Sequence, residues 1–295
     1  MDPREHQDDP ASTSASASAT PGPPRHPWDD AAEAWNQHTA LIHAWLRNAT
    51  AAMLAAARID PGASVLDIAA GAGDQTLDIA RRVGPTGRVL ATDIAPRILA
   101  LAQRNAAAAG LPQIATRVAD AQALGLAGLG FDAAVCRLGL MFCSAPHDAL
   151  AQARAALRPG GRFAALVFSA PQRNPCLAIL MSTALRHAGL PARSPYAPGS
   201  LMSLGEPGVL ERLLHAAGFT DVSVQPLAAP FRLPTRLHYL DFVRSAASPV
   251  IEILAPLSAD AQRAAWDDMA QQLSAFDTAD GWEGPNELLL GAGSC

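Results

Sequence analysis

Residues Ser64 to Thr76 read Ser-Val-Leu-Asp-Ile-Ala-Ala-Gly-Ala-Gly-Asp-Gln-Thr, and no other stretch restricts the fold as strongly. A short apolar run (Val65, Leu66, Ile68) ends in a Gly-x-Gly turn. A helical pattern follows at once in Leu77, Ile79, Ala80 and Val83. Strand, tight glycine turn and helix in that order open a nucleotide-binding α/β unit. Which nucleotide it takes depends on the flanking chemistry. A dinucleotide loop needs a third small residue where the helix packs under a pyrophosphate, and Thr76 stands there instead. Asp67 lies inside the strand and Asp74 at the helix start, where a carboxylate competes with a phosphate for the helix N-terminus. Acids around a glycine turn suit a ligand with cationic groups and no phosphate. S-adenosylmethionine, with its sulfonium and α-amino groups, is such a ligand.

The next segments repeat the theme. Arg88-Val-Leu-Ala-Thr-Asp93 is a second apolar run ending in an acid, and a carboxylate there can accept both hydroxyls of a ribose. Asp93 also reads as a helix N-cap before Pro96, and the two roles are compatible. Asp120, in Arg117-Val-Ala-Asp-Ala, follows a third strand; it can accept from an adenine amino group or serve as a turn former.

Five elements now stand in order: Val65 to Asp74, Ala91 to Asp93, Ala119 to Ala121, Phe131 to Arg137 with Leu140-Met-Phe142, and Leu157 to Phe163. In this order, each at the end of a predicted strand, they resemble the class I S-adenosylmethionine-dependent methyltransferases, and among them the group related to ubiquinone/menaquinone-biosynthesis C-methyltransferases. The resemblance covers roughly residues 60 to 170. It implies an α/β, Rossmann-like fold: a seven-stranded, mostly parallel sheet with helices on both faces and a helical cap. Carried over residue by residue, it implies cofactor contacts at Asp67, Ala69, Gly71, Gly73, Asp93, Ile94, Asp120, Ala121 and Arg137.

Composition is compatible with this reading. A chain of 295 residues, 49% of them hydrophobic, can bury one full core. A net charge of −5 gives no electrostatic footprint for nucleic acid, and no apolar run reaches membrane-helix length. Cys136, Cys143, Cys176 and Cys295 form no CxxC pair and have no His at metal spacing, which reads as reduced thiols, a cytoplasmic protein and no metal site. Pro175-Cys176 has the form of a cytosine-methyltransferase nucleophile, but it follows the fifth predicted strand where those enzymes carry it after the fourth.

Residues 1–25, acidic and then rich in Ala, Ser, Thr and Pro, read as a disordered tail. Residues 26–60 read as an N-terminal helical cap with Trp28, Trp35 and Trp45, and residues 61–295 as the catalytic domain. Strands are expected at Ser64–Ile68, Arg88–Asp93, Ile114–Val118, Phe131–Arg137, Arg162–Phe168, Val222–Leu227 and Glu287–Leu290. Helices are expected from the glycine turn to Val83 and over Pro96–Ala109, His147–Leu157 and Val209–Ala217. Two insertions, about 172–205 and 228–284, fall outside this plan and read, with the N-terminal helices, as parts of an apolar cap. The first is Pro-rich. The second holds helical patterns near Leu237–Ala246 and Ala259–Phe276, with Tyr239, Phe242, Trp266 and Trp282.

A sulfonium methyl is already activated, so the protein need only align a nucleophile and exclude water. His38, His43, His147, His187 and His238 are candidate bases, and no partner motif singles one out, so the catalytic residue stays unassigned. Arg137-Leu-Gly-Leu stands where an amino-methylating enzyme would carry Asn-Pro-Pro-Tyr. The expected acceptor is a small, largely apolar molecule, methylated at oxygen or carbon. A protein or RNA acceptor and a non-catalytic S-adenosylmethionine-binding partner protein are the alternatives. A nicotinamide oxidoreductase is disfavoured by Thr76 and by the absence of any lysine for a Tyr-x-x-x-Lys pair.

Overall fold

The computed structural model describes residues 27–246 and 248–295, so the tail expected over residues 1–25 lies outside the described residues. Helices α1 (Pro27–Gln37) and α2 (Thr39–Ala56) lead into the glycine-turn unit, which is β1 (Ser64–Ile68) followed by α3 (Asp74–Val83). The alternation continues through β2 (Arg88–Asp93), α4 (Pro96–Ala108), β3 (Ile114–Val118), β4 (Phe131–Arg137), α5 (Pro146–Ala156) and β5 (Leu157–Phe168). Local chemistry sets these boundaries. Pro96 and Pro146 open α4 and α5, where a missing N–H is harmless and the fixed φ suits the helix. The central strand β1 is buried along its whole length, as expected of a parallel strand covered on both faces.

After β5 come α6 (Pro175–His187), α7 (Val209–Ala216) and β6 (Thr220–Ala228). A second excursion then holds β7 (Phe231–Leu233), α8 (Arg236–Ala246), α9 (Ser248–Leu254), α10 (Ala259–Leu273), β8 (Asp277–Thr278) and β9 (Gly281–Gly284). Strand β10 (Glu287–Ser294) completes the main sheet. That sheet has seven strands in the order β3-β2-β1-β4-β5-β10-β6, and a small sheet runs β7-β9-β8. Only β10 runs antiparallel to its neighbours, between β5 and β6. The expected seven-stranded, mostly parallel architecture is therefore present. Strand order reverses at β1 and β4, and sheets of this kind open a ligand crevice at the carboxyl ends beside that point.

Three features differ from the sequence reading. Strand β5 starts at Leu157, not Arg162, because Pro159-Gly160-Gly161 forms an irregularity inside the strand, between the pairs Phe131–Leu157 and Ala133–Arg162. Gly160 N–H donates to the Cys295 carbonyl and Cys295 N–H to the Gly161 carbonyl, so the chain end holds this segment in the sheet. The Pro-rich first insertion contains a three-turn helix, α6. The second contains a three-stranded sheet as well as helices.

The two N-terminal helices differ in how they are packed. Ile42, Leu46, Met53 and Leu54 of α2 join the main core with β1, β4 and β5. Helix α1 belongs to a smaller cluster, in which Ala32, Trp28 and Trp35 meet Ala72, Ile98 and Leu101. No helix among the described residues is long and apolar enough to cross a membrane.

Candidate functional site

A cavity of about 240 Å³ opens at the strand-order reversal. The loop after β1 forms its floor. Ala69 (φ +55°) and Gly71 (φ +59°) both take the left-handed conformation there. For Ala69 this costs on the order of 1 kcal/mol, and the loop after β4 holds it in place. A Cβ built on Gly139 would sit 2.4 Å from the Ala69 Cβ, so only glycine lets the two loops touch. A Cβ on Gly71 would meet nothing closer than Trp35 Nε1 at 3.8 Å. Gly71 thus leaves open space facing the cavity.

Asp93, at the end of β2, accepts from Gly71 N–H (2.9 Å) and from Ala95 N–H (3.0 Å). One carboxylate thereby fixes the glycine loop and caps the approach to α4. Asp120, after β3, accepts from the backbone N–H of Gln122 at 2.9 Å, the turn-forming role. Gln122 in turn accepts from Ala145 N–H at 2.6 Å. Asp93, Ile94, Asp120 and Ala121 all line the cavity, together with Ala69, Gly71 and Arg137.

Asp67 and Gly73 do not line it. Asp67 is buried behind the loop, accepting from Thr76 Oγ1 (2.6 Å) and Gln75 Nε2 (2.7 Å). Burial pushes its carboxyl up to about 6, against the lowering pull of those two donors. A Cβ on Gly73 would meet the Ala102 Cβ at 3.0 Å, so this glycine gives α3 its close approach to α4 rather than making space for a ligand. Arg137 lines the cavity, but its guanidinium is engaged: Nη2 donates to Asp74 at 2.7 Å and Nη1 to Thr50 Oγ1 at 2.9 Å. Asp74 consequently presents an ion pair, not the lone carboxylate its place at the helix start suggests.

The far side of the cavity is aromatic. Phe168, at the end of β5, lies beside Trp45, which stacks on Phe231 with ring centroids 4.0 Å apart. Tyr239 and Phe242 of α8 extend this wall, and Leu177, Leu180 and Met181 of α6 add aliphatic surface. Sequence reasoning points to Trp45, Tyr239 and Phe242 but passes over Phe168, Phe231, Gly139 and Gln122, which belong to no short motif. None of the five candidate histidines lines the cavity. His38 meets Ser245 Oγ at 2.7 Å, His43 pairs with Asp78, His147 with Asp148 and His187 with Asp268, and His238 meets Thr235 Oγ1 at 2.9 Å. The four cysteines are free thiols. Cys176 lies outside the lining, and burial pushes it up to about 12, which suits packing and not nucleophilic attack.

A methyltransferase-domain family model matches residues 65–161. The 2-phytyl-1,4-naphtoquinone methyltransferase of Thermosynechococcus vestitus is 34% identical over 194 residues, covering 63% of this chain and 84% of that protein. The chain belongs to the class I S-adenosylmethionine-dependent methyltransferases. Its cofactor is S-adenosylmethionine. The ubiquinone/menaquinone biosynthesis C-methyltransferase UbiE of Burkholderia mallei is 37% identical over 132 residues, 44% of this chain, and this methyltransferase spans 53% of that relative's length. Among solved structures, the YcgJ protein of Bacillus subtilis matches with a TM-score of 0.54 and 18% identity, covering 84% of this methyltransferase and 98% of that chain; the likeness is one of fold.

Proposed function

We propose that this methyltransferase acts on a small, largely apolar molecule, at a hydroxyl oxygen or a ring carbon. The observation that carries the reading is the division of the cavity: carboxylates lie at the ends of β2 and β3, and an aromatic and aliphatic wall at the end of β5. The acidic half fits the cofactor. Gly71 leaves a cradle that a Cβ would narrow, Asp93 offers a carboxylate for the ribose diol, and Asp120 with Ala121 suits the adenine edge. Ala69 and Ile94 supply apolar contact, while Asp67, Gly73 and Arg137 hold the loop that makes this half. The chemistry the cofactor supplies when bound is a methyl group activated by a sulfonium.

The chain's own contribution is placement. Trp45, Phe168, Phe231 and Phe242 would hold a flat apolar acceptor against the mouth of the acidic half and keep water away. With no histidine of the described residues in the lining, proton removal by His38, His43, His147, His187 or His238 has no support, which favours an acceptor whose oxygen or carbon is intrinsically acidic. The names of the quinone-methylating relatives agree with an acceptor of this size and polarity.

The test is incubation with S-adenosylmethionine labelled in its methyl group and a cell extract, followed by fractionation. Label in apolar small molecules is expected. Label in protein or RNA would overturn the acceptor class, and no label in any fraction would favour a non-catalytic binding role.

A further inference from the structure

The aromatic wall contains a hydroxyl, that of Tyr239, with no partner among the described residues. Trp45 Nε1 donates to the Ala229 carbonyl at 2.8 Å, and Trp282 Nε1, behind the wall, donates to the Leu273 carbonyl at 2.9 Å. Tyr239 packs against Phe231 and Trp282. Its ring lies 4.9 Å from Phe231 on one side and 4.9 Å from Trp282 on the other, stacked on the latter at 24°. The residue is only 1% exposed and lines the cavity, and its hydroxyl, which is not one of the sealed unmet polar atoms, makes no hydrogen bond to any described residue. Buried tyrosine hydroxyls ordinarily find a partner. A phenylalanine would fill the same slot without that unmet group, so packing alone does not account for the oxygen.

We propose that the Tyr239 hydroxyl is the polar anchor for the acceptor, and that the acceptor is therefore a flat aromatic ring bearing a hydroxyl or carbonyl oxygen. This rests on the apolar-acceptor reading above. The ring between Phe231 and Trp282 is held in one orientation, so the hydroxyl selects where on the acceptor an oxygen must stand. Burial, with Cys176 nearby, pushes the phenol well above its ordinary range. Tyr239 therefore meets the acceptor as a neutral donor and does not take its proton. Its role is to orient the ring so that the reacting atom faces the acidic half of the cavity.

The experiment uses the full chain and two probes, 1-naphthol and naphthalene, titrated against tryptophan fluorescence, with S-adenosylhomocysteine binding measured by calorimetry alongside. The wild type should bind 1-naphthol roughly threefold to tenfold more tightly than naphthalene, the worth of one net hydrogen bond. Tyr239→Phe should lose that preference while keeping its naphthalene and S-adenosylhomocysteine affinities. Equal affinity of the two probes in the wild type would overturn the proposal without any variant, and so would a preference that survives in Tyr239→Phe. Binding of neither probe while S-adenosylhomocysteine still binds would instead overturn the apolar-acceptor reading on which it rests.

Discussion

Asp67 opens the glycine motif, yet it acts from inside the sheet. Thr76 and Gln75, the residues that close the motif, give it their side-chain hydrogen bonds, so one carboxylate braces both ends of the loop. Burial raises its pKa from the ordinary 3.8 to about 6, and this makes folding depend on pH in a definite sense. Between those values the unfolded chain has lost the proton and the folded one retains it. Asp67 thus favours folding most at low pH, and the advantage is lost as pH rises through about 6. The difference amounts to about 3 kcal/mol. Asp67→Asn removes the titration, so the stability gap between parent and variant should shift by that order between pH 4 and pH 7 in urea unfolding. A gap that stays constant with pH would show that Asp67 is not held protonated.

At the scale of elements, the two insertions are joined through α6 and α10. Asp268 of α10 accepts from His187 (2.9 Å) and Arg186 (2.7 Å) of α6, and from Gln272 one turn along its own helix. The His187 bond first, then those from Arg186 and Gln272, hold the carboxyl down to about 2. For an acid depressed in the folded state, stability is present above the ordinary value and lost as pH falls through the lowered one. The latch is therefore at full strength at neutral pH, and its exposed partners limit it to about 1 kcal/mol. Asp268→Ala should raise amide hydrogen exchange in α6 and leave β1 and β4 unchanged. Identical exchange in α6 would mean that apolar packing alone holds the seam. Helix α6 is also where the sequence is hardest to read, because Pro171 and Pro175 look like breakers when Pro175 in fact opens the helix. Gly160 and Gly161 mislead in the same way at β5, since a partner strand far along the chain overrides their turn tendency. Strands β1 to β4 are legible to the residue, each an apolar run closed by an acid, a glycine or an arginine. The acids of the site lie within a few residues of those strand ends and are legible with them. The aromatic wall is legible only in part, at Trp45, Tyr239 and Phe242, because β5, α2, β7 and α8 contribute to it from positions far apart in sequence.

For the whole molecule, the unequal packing of α1 and α2 sets what can be removed. Helix α2 buries Ile42, Leu46, Ala49, Thr50, Met53 and Leu54. Truncating one large core side chain costs about 2–5 kcal/mol, and a whole domain is stable by only about 5–15 kcal/mol. A chain beginning at Thr39 should therefore fold but bind S-adenosylhomocysteine more weakly, having lost Trp28 and Trp35 from the cavity. A chain beginning at Ala57 should not fold. Near-ultraviolet circular dichroism and cooperative urea unfolding separate the two, and a cooperatively folding Ala57 chain would show that α2 is only a cover. The interior place of β10 bears on folding kinetics. Phe168 of β5 stands opposite Leu288, so the whole span from α6 to β9, which includes β6, must be closed over before β5 and β10 can pair. Loop closure grows costly only slowly, by about 0.6 kcal/mol for each doubling of length. The insertions can therefore lengthen and diversify with little loss of stability, but the search for β10 becomes slower. Until it docks, β5 is an unprotected edge open to strands of other molecules, and a refolding yield that falls with protein concentration is the signature of that delay.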